Sequence, residues 1–120
     1  MKLKIGLIIK NKKMKYSNKD VAIHYFTNPA MENESLGKIV DGVMHQVARE
    51  VPTRKVNTEY EADYTHKMGA TDVPSIMFTD ASGNTKHLYV GGGEMSTITL
   101  DGVLKIVDDI LDYNNTNSNG

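Results

Sequence analysis

The sequence predicts one α/β domain: a central mixed sheet flanked by helices on both faces. Three observations predict it. Runs with strand character alternate with runs of helical spacing along most of the chain. Residues 21–26 are nearly continuous in apolar character, as a strand covered on both sides must be. Near the end, two strands flank Ala81-Ser82-Gly83-Asn84 and are followed by an amphipathic helix. At 120 residues the chain can bury one core but not two.

Each element follows from a local pattern. Leu3, Ile5 and Leu7 alternate, and Ile8-Ile9 add β-branched bulk, so residues 3–9 read as a strand. Asn11-Lys12-Lys13 suits either a hairpin turn or the start of a short helix. Residues 21–26 form the next strand, and Asn28-Pro29 marks a break. From about Asn33 the spacing of Leu36, Ile39, Val40, Val43, Met44 and Val47 predicts a helix, which Pro52 closes. Residues 55–57 predict a strand. Residues 60–68 predict a short helix ending at Gly69, a residue suited to a left-handed cap. Residues 75–79 and 86–90 predict the hairpin. Leu100, Val103, Leu104, Val107, Ile110 and Leu111 predict the last helix, whose acids Asp108, Asp109 and Asp112 oppose its macrodipole. The asparagine-rich end has nothing apolar to bury, so the domain is expected over 1–112 and a disordered tail over 113–120.

Composition narrows the function. Formal net charge is -1, so no global field points to nucleic acid or membrane. The charge is nevertheless uneven. Lys2, Lys4, Lys10, Lys12, Lys13, Lys15 and Lys19 supply 7 of the 14 basic residues before the first acid, Asp20. This lysine-rich arm over 1–19, with Lys10, Lys12, Lys13 and Lys15 at its centre, supports a second reading as a nucleic-acid-associated protein. Few aromatic residues are available for stacking on bases. The apolar run of residues 5–9 is too short for a signal-peptide core or a bilayer span, so a cytoplasmic location without a membrane partner is expected. With no cysteine, neither a disulfide nor a thiolate ligand can form.

The order strand, strand, helix, strand, helix, hairpin, helix resembles that of the thioredoxin superfamily from about residue 20 to 111. Residues 23–26 resemble the strand that leads to the family's active site, and Lys55-Val56-Asn57 the strand after it. Residues 67–74 are similar to the segment ending in the family's cis-proline, which falls on Pro74. Carried over, the Cys-Gly-Pro-Cys motif falls on Ala30-Met31-Glu32-Asn33, so Ala30 and Asn33 hold the redox positions without sulfur. The resemblance also places the family's buried aspartate on His24, beside Lys55. It therefore implies a cysteine-less, non-catalytic member without cofactor or metal. Its remaining asset is the groove formed by Pro29, Ala30, Met31, Asp72, Val73, Pro74, Gly91 and Gly92, which would take an extended segment of a protein partner.

Other candidates carry less. Gly91-Gly92-Gly93-Glu94 lacks the lysine and spacing of a phosphate loop and reads as a flexible loop. The four histidines, at 24, 45, 66 and 87, fall on four different elements and offer no metal-binding spacing. His24 is expected to be a neutral core histidine. Ser35, Ser75 and Ser96 have no histidine–acid arrangement for nucleophilic catalysis.

Overall fold

A computed structural model describes residue 16 and residues 20–119, with side chains through residue 114. The strand expected over 3–9 and the central lysines of the arm, Lys10, Lys12, Lys13 and Lys15, lie outside the described residues. Four strands are described: β1 (Ala22–Thr27), β2 (Thr53–Asn57), β3 (Ser75–Thr79) and β4 (Lys86–Gly91). They form one sheet in the order β2-β1-β3-β4, in which β1 is parallel to β2 and antiparallel to β3. The helices are α1 (Pro29–Glu32), α2 (Ser35–Val47), α3 (Ala62–Met68) and α4 (Leu100–Asn119). A 3₁₀ helix, Gly92–Thr97, links β4 to α4.

Strand alternation divides the core in two. Ile23 and Tyr25 of β1, with Ile76 and Phe78 of β3, join Val40, Met44, Val47, Met95, Val103 and Val107 beneath α2 and α4. Phe26, Val56 and Met77 face the other way and pack with Met68 at the end of α3. The sheet is thus mixed and carries helices on both faces. The cover is unequal: α2 and α4 span 13 and 20 residues, whereas α3 spans 7.

Three local outcomes differ from the sequence pattern. Asn28-Pro29 starts a helix where a simple break was expected: the Asn28 side chain accepts from the Met31 amide at 2.8 Å, and Pro29 occupies the first helical turn. The flexible loop expected at residues 91–94 is instead the last residue of β4 and the start of the 3₁₀ helix, which is pinned by the fully buried side chain of Met95. Gly92, at φ 65°, supplies the left-handed conformation that opens it. Finally, α4 continues through Asn119, past the expected boundary of a disordered tail at 113. Nothing between residues 113 and 119 is proline or glycine, so a helix nucleated by the packed first turns meets no stop. Gly69 caps α3 as the sequence indicates, at φ 82°.

Candidate functional site

The pairing register brings three loops to one end of the sheet. Phe26 pairs with Ser75, and Ser75 pairs with Gly91. The end of β1, the start of β3 and the end of β4 therefore lie side by side. From these points emerge the segments holding Pro29, Ala30 and Met31, then Asp72, Val73 and Pro74, then Gly91 and Gly92. All eight residues of the expected groove gather at this end. Pro29, Ala30 and Asp72 are exposed, Met31, Val73 and both glycines are half-buried, and Pro74 is buried. The Val73–Pro74 peptide bond is cis.

Side chains hold these loops in place. The Tyr89 hydroxyl accepts from the amides of Thr71 and Asp72 at 3.1 and 3.0 Å, and donates to Asp72 Oδ2 at 3.3 Å. Ser75 Oγ donates to the Asp72 carbonyl at 2.8 Å. Among the described residues, none bonds the Val73 amide or carbonyl. On the other side, α2 crowds against α1. A Cβ on Gly37 would stand 1.8 Å from the Met31 carbonyl oxygen, so only glycine permits this approach.

Lys55 ties the sheet to both helices. Its ammonium lies 2.6 Å from Glu32 Oε2 on α1 and 3.0 Å from Asp41 Oδ1 on α2. Asp41 also accepts from the Tyr25 hydroxyl at 3.1 Å. The hydrogen bond to Glu32 raises the Lys55 pKa above its usual value. Burial, then the negative charge of Asp41, pushes the Tyr25 phenol well above the ordinary phenol range. The lysine is thus held charged and the tyrosine neutral, with the Glu32 and Asp41 carboxylates between them.

No protein-family model matches the sequence, and no curated protein matches it either. Solved structures do match. A mutant thioredoxin of Halobacterium salinarum superposes with a TM-score of 0.62 at 14% identity, covering 78% of this chain and 77% of that one. Thioredoxin 1 of Thermosipho africanus gives 0.60 at 14% identity, over 78% and 98% of the two chains. The germline-specific thioredoxin Deadhead of Drosophila melanogaster gives 0.58 at 10% identity, over 91% and 93%. The fold is thioredoxin-like. At these identities the likeness concerns the fold alone.

In this thioredoxin-like frame, the expected pairing of His24 with Lys55 is overturned. The parallel register sets His24 beside Arg54 and Tyr25 beside Lys55. His24 and Lys55 therefore project from opposite faces of the sheet. The residue meeting the lysine is Tyr25, one position further on. Whichever residues stand at the family's cysteine positions, the chain holds no thiol for thiol–disulfide exchange.

His24 belongs to a separate polar cluster beneath α3 and is 8% exposed. The Thr79 hydroxyl donates to the Asp80 carbonyl at 2.7 Å, so at 3.0 Å from His24 Nε2 it accepts. This places the proton on Nε2 and leaves Nδ1 to accept from the Tyr64 hydroxyl at 2.8 Å. Burial holds the imidazole below its usual range, and the Arg54 guanidinium acts in the same direction. That guanidinium also stacks 4.1 Å from the Tyr64 ring centre and pairs with Glu61. Both ring nitrogens of His24 are thus committed to hydrogen bonds within the fold. Among the described residues no cluster of three or more histidines or acids is placed to hold a metal ion, and no helix is long and apolar enough to cross a membrane.

Sequence reasoning found the loops but missed Tyr25, Glu32, Asp41 and Tyr89. Glu32 carried a usable signal, an acid in the single turn of α1 next in the fold to a lysine on β2, whereas Asp41 lies mid-way along α2 and carried none. Tyr89 carried none, because its role depends on the β3–β4 register.

Proposed function

We propose that this protein is a non-catalytic binding module that holds an extended segment of a protein partner against the end of the sheet formed by Ala30, Met31, Val73 and Gly92. The observation that carries the reading is the state of Val73. Its backbone donor and acceptor have no partner among the described residues, yet Tyr89, Asp72 and Ser75 fix the loop around it. Fixed, unpaired backbone groups beside half-buried apolar side chains are what an added strand uses. Loop rigidity also lowers the entropic cost of binding. No redox step enters, because the chain contains no thiol.

The test compares binding by wild type and Ala30→Glu. A carboxylate at this exposed position leaves the core untouched, so the melting temperature should stay within about 2 °C. Partner affinity should fall at least about tenfold, about 1.4 kcal/mol. Equal affinity in the two proteins would remove this end of the sheet from the account.

A further inference from the structure

A cavity of ≈ 400 Å³ opens between β4 and α4, and none of the eight groove residues lines it. Its floor is Leu88, Val90, Ile98 and Ile106. Val90, Ile98 and Ile106 pack against the larger core, while Leu88 is 41% exposed. A second cavity of ≈ 340 Å³ adjoins the first, shares Leu88 and Ile106, and runs on to Ile110 and Tyr113. Small-molecule sites have this size and this character, mostly apolar with a few polar groups that fix orientation.

A strand added along β4 is blocked at this place. Phe78 pairs with Leu88 but Thr79 pairs with Lys86, so His87 is an extra residue that bulges the edge. The opening therefore suits a ligand that needs no backbone ladder.

Charge narrows the ligand further. Glu94 is the one charged residue lining the first cavity, which has no lysine, arginine or histidine. Glu94 is exposed, so it stands at the rim, and it has no ion-pair partner among the described residues. Its backbone is held in place. The buried Met95 follows it in the 3₁₀ helix, and Thr97 Oγ1 donates to the Glu94 carbonyl at 3.3 Å. The positive end of α4 also borders the cavity, but Thr99 Oγ1 already accepts from the Gly102 amide at 3.0 Å, and Asp101 stands in that first turn. An apolar floor and an uncompensated carboxylate thus share one opening.

We infer that the cavity between β4 and α4 binds a small amphipathic amine, its apolar body on Leu88, Val90, Ile98 and Ile106 and its ammonium on Glu94. Burial of the apolar body supplies the affinity. The carboxylate sets the sign of the charge that is accepted, by a modest factor because the pair lies at the rim in contact with water. The adjoining cavity gives a longer apolar tail room to extend toward Tyr113.

The test titrates the full chain, ¹⁵N-labelled and at pH 7, with 4-phenylbutylamine, 4-phenylbutanol and 4-phenylbutanoate, which share one apolar body. The amine should shift the amides of Val90, Ile98 and Ile106 and bind at least about threefold more tightly than the alcohol, with the carboxylate weakest. In Glu94→Gln the advantage of the amine over the alcohol should vanish while the alcohol still binds. Asp112→Asn, at an exposed position of α4 outside both cavities, should leave that advantage intact. Equal affinities for the three compounds, an advantage that survives Glu94→Gln, or shifts from none of them would each overturn the inference. Shifts centred on Val73 would also overturn it, while leaving the first surface standing.

Discussion

The two faces of the sheet solve the same burial problem by different means. Beneath α2 and α4, a continuous set of valines, methionines and aromatic residues is shielded from water, and hydrophobic burial stabilises the packing. Beneath α3, a seven-residue helix covers only Phe26, Val56, Met68 and Met77 fully. There a directed chain from Tyr64 through His24 and Thr79 to the Asp80 carbonyl completes the cover. A short helix cannot bury enough apolar area, so hydrogen bonds hold its partner residues in register. The lesson is that polar residues in this core mark thin cover, and a buried histidine need not mark chemistry.

The largest expected effect separates the faces directly. Phe78→Ala, on the thick face, should cost about 4 kcal/mol, because α2 and α4 cannot close on the cavity. Phe26→Ala should cost about 3 kcal/mol, since α3 can settle inward. Both side chains are fully buried, so their areas do not explain the difference. Chemical denaturation reads both, and a larger loss for Phe26 would reverse the ranking of the faces.

A smaller effect probes the hydrogen-bonded chain. Tyr64→Phe leaves His24 Nδ1 without its donor and should cost about 1–2 kcal/mol. His24 also gives the thin face a pH dependence. Its pKa is lowered on folding, so above the usual value of 6.5 it is neutral in both states and contributes no slope. As the pH falls through 6.5, the unfolded chain takes up a proton that the folded chain resists, so stability drops. The drop ends once the pH passes the lowered folded value. Thermal melts from pH 7.5 to 5.5 should show this slope in wild type and lose it in His24→Gln.

The smallest effect lies at the end of the sheet. Lys55→Met removes both ion pairs, but all three partners are substantially exposed. The expected loss is at most about 0.5 kcal/mol, reduced further by salt. A loss above about 2 kcal/mol would mean that the bridge from β2 to α1 and α2 holds the fold in place.

Much of this architecture was legible in the residues. The four described strands, α2 and the capped α3 were readable from local patterns, and the hairpin from its turn. What resisted was phase. A strand buried on both faces has no alternation to show which side chain points where, so residues 21–26 read equally well in either phase. The family resemblance set His24 beside Lys55, with no alternation in the strand to correct it, and β1–β2 registration assigns that pairing to Tyr25. Short elements failed for another reason. The four residues of α1 span about one turn and show no period; Asn28 and Pro29 were its only signal. The 3₁₀ helix hides behind three glycines, and tertiary burial of Met95 outweighs their local preference. At the candidate site, positions were readable because loop order follows strand order. Their tethering through Tyr89 was not.

The most direct test of the binding role is photo-crosslinking from single sites of the full chain, with benzophenone side chains placed at positions 30 and 73. Position 66, exposed on α3, serves as the control. Adducts to one partner from 30 and 73, with none from 66, are the predicted result. Equal yield from all three positions, or adducts from 66 alone, would contradict it.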